Sequence, residues 1–374
     1  MLYKNANIFT PSGFVFGSFE VEEGKFGRIL PGYSSEEGTD LQGAFVIPGV
    51  IDVHTHGNSG VDFSDGDYDG LVKMARFYAE NGVTSFAPAS MTLAYETLEA
   101  AFASGLKLKK NAPAGCARIM GINMEGPFFS EKKKGAQNPI YLKNPDFAAF
   151  KKLYDGCEGL IRIVDLAAEL PGAVEFTKQA KELCTVSIAH TDANYDEAKA
   201  LFDAGATHAT HLYNAMPSIH HRNPGVIGAA SENEGVVAEL ICDGLHVHPS
   251  AIRLAFKMFP GRICLISDSL MCTGMPDGVF VFGGQEVMLK DGVARIQDGA
   301  LAGSTATLYQ CMLNVISFGI DRDEAIRAAT IIPAKELGCE DLVGSIEEGK
   351  YADFIVCDEN LAKKAVFIGG EKIA

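Results

Sequence analysis

Much is missing from this chain, and each absence excludes something. No stretch approaches the uninterrupted apolar length that a membrane-spanning helix needs, and the opening MLYKNANIFT carries no basic-then-apolar secretion signal. The nine cysteines are scattered, odd in number and never spaced as C-x-x-C. Taken with the missing signal, they read as reduced thiols, mostly small core residues, and the expected location is the cytoplasm. No glycine-rich phosphate loop and no G-x-S-x-G nucleophile elbow occurs, so neither nucleotide chemistry nor a serine nucleophile has its usual signature. Positive charge is scarce as well, with 32 Lys and Arg against 48 Asp and Glu, a formal net charge of −16. That balance argues against nucleic acid or an anionic membrane as partner. An anionic substrate would need a local basic group.

What remains is ordinary globular material. The chain has 374 residues, 47% hydrophobic and 21% charged, enough for a large core in one big domain or two. Its middle alternates short β-branched runs with helix-like segments. In DYDGLVKMARFYAENG, Leu71, Met74, Ala75 and Tyr78 fall at helical spacing and Gly82 sits where a helix should stop; YDEAKALFDAG repeats the pattern. Eight buried strands are expected, the first in GVIDVH and the others starting near Val83, Arg118, Ile161, Thr185, Ala206, Val237 and Ile263. Regular alternation implies parallel strands covered by helices. Eight units favour an α/β fold of the closed (β/α)8 TIM type over an open doubly wound sheet. Both chain ends are strand-like with little helix. A small β-sandwich domain is expected from residues 1–48 and 336–374, flanking a barrel over 49–335 with a β-hairpin insertion at 278–299. The run Lys132 to Lys134 reads as a solvated loop.

The stretch VIPGVIDVHTHG poses the functional question. Residues i and i+2 of a strand share a face, so His54 and His56 can grip one metal ion at a strand end. Two exposed histidines would look the same, so the other strand ends must supply the missing ligands. In a barrel the site lies at the C-terminal strand ends. The third ends in Glu125, the fifth in His190, the sixth in His211 and the eighth in Asp268. Taken singly, His190 is as well explained as a hydrogen-bonded core histidine. Glu125 in NMEGP and Asp268 after ICLIS are harder to dismiss, because buried carboxylates need partners. Asp52 reads as a support for a ligand histidine. His208, of opposite strand parity to His211, is expected to point away from the interior. Four imidazoles with a carboxylate suit one or two divalent ions that keep a position open for water. Asp268 is then the candidate to shuttle a proton from that water to a leaving amine, in a metal-assisted amide hydrolysis.

These residues resemble the amidohydrolase superfamily. PGVIDVHTHG is similar to its first-strand signature, while NMEGPF, AHTDA, THLYNAM, ICDGLHVHP, LISDSLMCTG and DGALAGST resemble, in that order, its amino-sugar-phosphate deacetylases. Relatives that bridge two metals with a modified lysine carry it on the fourth strand. Here that strand reads IRIVDLAAEL, so the resemblance gives the task to Glu125. It implies His54, His56, Glu125, His190 and His211 as ligands of one or two divalent ions per subunit, zinc or iron, and Asp268 as the catalytic acid/base. It implies substrate contacts from Ala136 and Gln137, from Asn214 and Ala215, from His246, and from Leu301, Ala302 and Gly303. Gln137 stands where some members carry histidine. Arg222 matches a residue that binds the sugar phosphate across a homodimer. The expected reaction is removal of the acetyl group from N-acetyl-D-glucosamine 6-phosphate. The galactosamine epimer is the nearest rival, and a nucleobase deaminase on the same barrel a more distant one.

Overall fold

The computed structural model describes residues 1–297 and 299–374. Eight parallel strands occupy the middle of the chain: β1 Val50–Thr55, β2 Val83–Pro88, β3 Ile122–Phe128, β4 Ile161–Leu166, β5 Thr185–Ile188, β6 His208–Ala209, β7 Val237–Ile241 and β8 Ile263–Ile266. β1 pairs with β2, and β3 to β8 pair in sequence order. A parallel bridge between Ala89 and Asn123 joins the two arcs at one junction. At the other, Asp268 N donates to His54 O (2.9 Å) and His56 N to Ser269 O (2.8 Å). The strands thus follow one another edge to edge in a mixed α/β fold of TIM-barrel type. Helices cover them, so every residue of β2 and β3 is buried and their sequences run apolar rather than alternating.

The first helix shows the local logic. Asp67 caps it by accepting from Asp69 N and Gly70 N, and Leu71, Met74, Ala75 and Tyr78 turn one apolar face inward. Asn81 ends it, and Gly82 takes a φ of +88°. Two strand expectations shift. Arg118–Ile119 forms a separate short strand on β2, and β3 begins only at Ile122. β6 pairs over only two residues, because the chain turns directly after Ala209.

Both chain ends build one further sheet, in which Phe45–Pro48 pairs antiparallel with Phe354–Cys357. Its inner face holds Tyr3, Phe19, Phe26, Val46, Phe354 and Val356 as a separate core. Ile47, Ile355 and Cys357, on the opposite face, pack into the main core instead. Gly278–Phe282, Gln285–Lys290 and Val293–Ile296 form a small antiparallel sheet that packs Phe282, Val287 and Leu289 against Met91, Leu270 and Ala302. The expected insertion also includes Asp298, which lies outside the described residues. Among the described residues, no helix is long and apolar enough to cross a membrane.

Candidate active site

The C-terminal strand ends converge on Glu125, at the centre of β3. Gly126 beside it takes a φ of +94°, and a Cβ there would lie 2.2 Å from Thr92 Oγ1, so only glycine fits. Glu125 Oε1 lies 3.1 Å from His190 Nε2 and 3.4 Å from both His54 Nε2 and His211 Nε2. Its Oε2 lies 3.4 Å from His56 Nε2 and accepts a hydrogen bond from Gln137 Nε2 at 2.6 Å. Asp268 Oδ1 stands 3.4 Å from His56 Nε2 and 3.8 Å from His54 Nε2. His190, His211 and Asp268 all adopt positive φ (44°, 33° and 48°), a conformation that L residues seldom take outside constrained sites.

Three of the rings are oriented from behind. His54 Nδ1 faces Glu239 Oε2 at 2.9 Å, His56 Nδ1 faces Ala89 O at 3.2 Å and His190 Nδ1 faces Lys133 O at 2.9 Å. A ring that donates its Nδ1–H outward presents a bare Nε2 inward. Bare nitrogens and a carboxylate crowded at these distances repel unless a cation lies among them. His54 Nε2 is buried without a hydrogen-bond partner, and His190 Nε2 lies only 3.1 Å from His211 Nε2. Two groups have metal-ligand spacing, His54–His56–Glu125 and Glu125–His190–His211, with Glu125 common to both. The site fits a divalent ion on this donor set. Without a metal the crowding is relieved only by protons on these nitrogens. Burial pushes the Glu125 carboxyl up, but a charged His54, with His190 and His211 donating, then outweighs it and holds the group well below the usual carboxylate range. Burial likewise opposes ionisation of Asp268, and His56 beside it carries the balance downward.

Above these groups lies a cavity of about 420 Å³. Of the residues expected to touch substrate, Ala136, Gln137, Asn214, Ala215, His246, Leu301 and Gly303 line it. Gln137 has both ends of its amide engaged, since its Oε1 accepts from Thr92 N at 2.7 Å. Ala302 is fully buried and packs beside Leu270 and Phe282, off the lining. Arg222 is not in this cavity; it is exposed, 2.8 Å from His221 Nε2, beside a separate hollow with Asn194 and Glu232. His246 Nδ1 lies 2.7 Å from Asp243 Oδ2. Burial opposes its charged form, yet Asp243 raises the imidazole above its ordinary value.

Two readings need correction and one needs refining. His208 does not point away. Its Nε2 lies 3.1 Å from Glu239 Oε1, the carboxylate that also faces His54. Strand parity cannot relate His208 to His211, because β6 stops at Ala209 and His211 is placed by a turn. Asp52 supports His54 through the backbone and not at the ring: its Oδ1 accepts from the backbone N–H of His54 and of Ser267, both at 3.3 Å, and Glu239 is the acceptor at the ring. Lys132 and Lys133 are not a purely solvated loop, since both line the cavity. Glu239 went unnoticed, although a lone glutamate in VAELICDG carries the same signal that exposed Glu125.

The chain belongs to the amidohydrolase family, whose model matches residues 45–373. Among its relatives, an N-acetylglucosamine-6-phosphate deacetylase of Bacillus subtilis is 37% identical over 83% of this chain and 80% of its own. An N-acetylgalactosamine-6-phosphate deacetylase of Escherichia coli O157:H7 is 35% identical over 89% of both chains. A mutant N-acetyl-D-glucosamine-6-phosphate deacetylase of Mycobacterium smegmatis, solved in complex with N-acetyl-D-glucosamine 6-phosphate, superposes with a TM-score of 0.94 at 31% identity, covering 100% of this chain and 99% of its own.

Proposed function

We propose that this protein hydrolyses the N-acetyl group of N-acetyl-D-glucosamine 6-phosphate, releasing acetate and D-glucosamine 6-phosphate. The observation that carries the reading is the convergence of four imidazole Nε2 atoms on Glu125 with Asp268 beside them. His54, His56, Glu125, His190 and His211 would hold one or two divalent ions, zinc or iron. When bound, such an ion acidifies a water towards neutrality and polarises a carbonyl oxygen.

Asp268 Oδ1 does the proton work in this reading. Held ionised at neutral pH, it takes the proton of the attacking water and returns it to the amide nitrogen as the C–N bond breaks. His246, whose charged form burial opposes and Asp243 favours, offers a charge-assisted donor to the sugar phosphate; Asn214 and the backbone around Ala215, Leu301 and Gly303 orient the sugar. At the rim Lys133 supplies local positive charge that the chain as a whole lacks, while Lys132 is paired with Asp192 at 2.9 Å. Arg222, distant from its own cavity, completes the phosphate site of a partner subunit in a homodimer. The supporting architecture is a closed (β/α)8 barrel with a small β-sandwich domain from the chain ends.

The galactosamine epimer is the second reading, favoured by the Escherichia coli O157:H7 relative at 35% identity. Acetate release from both N-acetylated 6-phosphates, and from the unphosphorylated sugars, tests both. A higher kcat/KM for the gluco compound supports the proposal, a higher value for the galacto compound supports the second reading, and release from neither contradicts both.

A further inference from the structure

A line of buried groups runs inward from the site. His54 Nδ1 lies 2.9 Å from Glu239 Oε2, Glu239 Oε1 lies 3.1 Å from His208 Nε2, and His208 Nδ1 lies 2.6 Å from Glu336 Oε2. The His54, His208 and Glu239 side chains are wholly buried, and Glu336 is 12% exposed. Glu239 Oε2 also accepts from His211 N at 3.2 Å. One carboxylate therefore touches a member of each candidate ligand group. The three oriented rings differ in one respect. His56 and His190 rest on backbone carbonyls, which no substitution removes, whereas His54 rests on a side chain.

We propose that Glu239, braced by His208 and Glu336, is a positioning residue that aims His54 Nε2 into the site and thereby decides whether the His54–His56–Glu125 group takes up a second ion. The inference rests on the metal-dependent reading above. Without an acceptor at Nδ1, the His54 ring can carry its proton on Nε2 and give it to Glu125, 3.4 Å away. A protonated Nε2 has no lone pair for a metal. The Glu125–His190–His211 group does not depend on the His54 ring and should keep its ion.

The two informative substitutions are Glu239→Leu and Glu239→Gln. Glutamine can still satisfy the line: its oxygen accepts from His54 Nδ1 and His211 N, and its amide donates to His208 Nε2 while His208 Nδ1–H turns to Glu336. Leucine can accept nothing. Metal-depleted wild type and both variants would be titrated with Co(II), reading stoichiometry and the visible absorption of the bound ion, with thermal melts alongside. Wild type should bind two ions. Glu239→Leu should bind one, held by the Glu125–His190–His211 group, and Glu239→Gln should bind two, the weaker losing about 10- to 100-fold in affinity.

A purely structural role for Glu239 would lower the melting temperature and leave two ions bound at wild-type affinity, which would overturn the proposal. A wild type that binds a single ion would overturn it as well. Should the leucine variant not fold, the glutamine variant decides: an unchanged affinity for the weaker ion refutes the inference. A wild type that binds no ion but is folded contradicts the functional reading itself.

Discussion

The sheet made from the chain ends and the mouth of the barrel are both densely buried, yet they are built on opposite plans. In the terminal sheet, Phe354 stacks on Phe367 at 4.4 Å and meets Tyr3 and Phe19 edge-on at 5.2 and 5.1 Å. Side chains there alternate between two cores, and the ladder continues across bulges between Tyr3 and Ala6, Phe19 and Val21, and Val356 and Cys357. At the mouth, the ladder ends where the chemistry begins. His190, His211 and Asp268 lie beyond the last paired residue of β5, β6 and β8, each at positive φ. Packing in the first region stabilises the fold; in the second, strain and unpaired polar atoms are retained because a ligand is to satisfy them.

Substitutions should separate the two plans. The largest loss is expected from Glu125→Ala, which removes the carboxylate shared by both ligand groups. Metal content should fall below one ion per chain and turnover should vanish, while the melt stays cooperative; retained activity would break the comparison. Asp268→Asn comes next, with a loss of roughly a hundred- to ten-thousand-fold in kcat and metal content unchanged. If metal falls in step with activity instead, Asp268 is chiefly a ligand.

Phe354→Ala inverts the pattern. Its ring is completely buried among other aromatics, so denaturation should show a loss of about 3–5 kcal/mol, with kcat per folded molecule preserved. Asp243→Asn is the mildest. Asp243 raises the His246 pKa, so the charge on His246 is present at low pH and lost as pH rises through that raised value. In the variant, burial, which lowers the pKa, is no longer opposed by the Asp243 carboxylate, so the charge should be lost at lower pH and KM for the phosphorylated sugar should start to rise at lower pH than in wild type, with kcat kept. A KM that does not move would remove His246 from the phosphate site.

Legibility in the sequence followed the same division. Helical spacing in residues 68–80 and the strand character of both ends were readable because each depends on neighbours a few residues apart. His54, His56, His190, His211 and Asp268, at strand ends, and Glu125, at the centre of β3, were legible because polar residues in or closing apolar runs must be explained. What failed was the inference of direction. Parity holds only within a paired strand, so it misplaced His208, whose strand ends one residue later. The support expected from Asp52, two residues away, reaches only the His54 backbone, whereas the ring's acceptor, Glu239, arrives from 185 residues along the chain. Ala302 sits in a readable motif, but its side chain turns into the core while Leu301 and Gly303 line the cavity.

The central claim is that crowded Nε2 atoms around Glu125 mark a metal-dependent deacetylase. Its most direct test is acetate release from N-acetyl-D-glucosamine 6-phosphate by protein whose metal content is measured on the same sample, before chelation, after chelation and after restoring zinc or iron(II). The account predicts one or two ions per chain, loss of turnover in step with loss of metal, and recovery on restoration. Full turnover by a metal-free chain would contradict it.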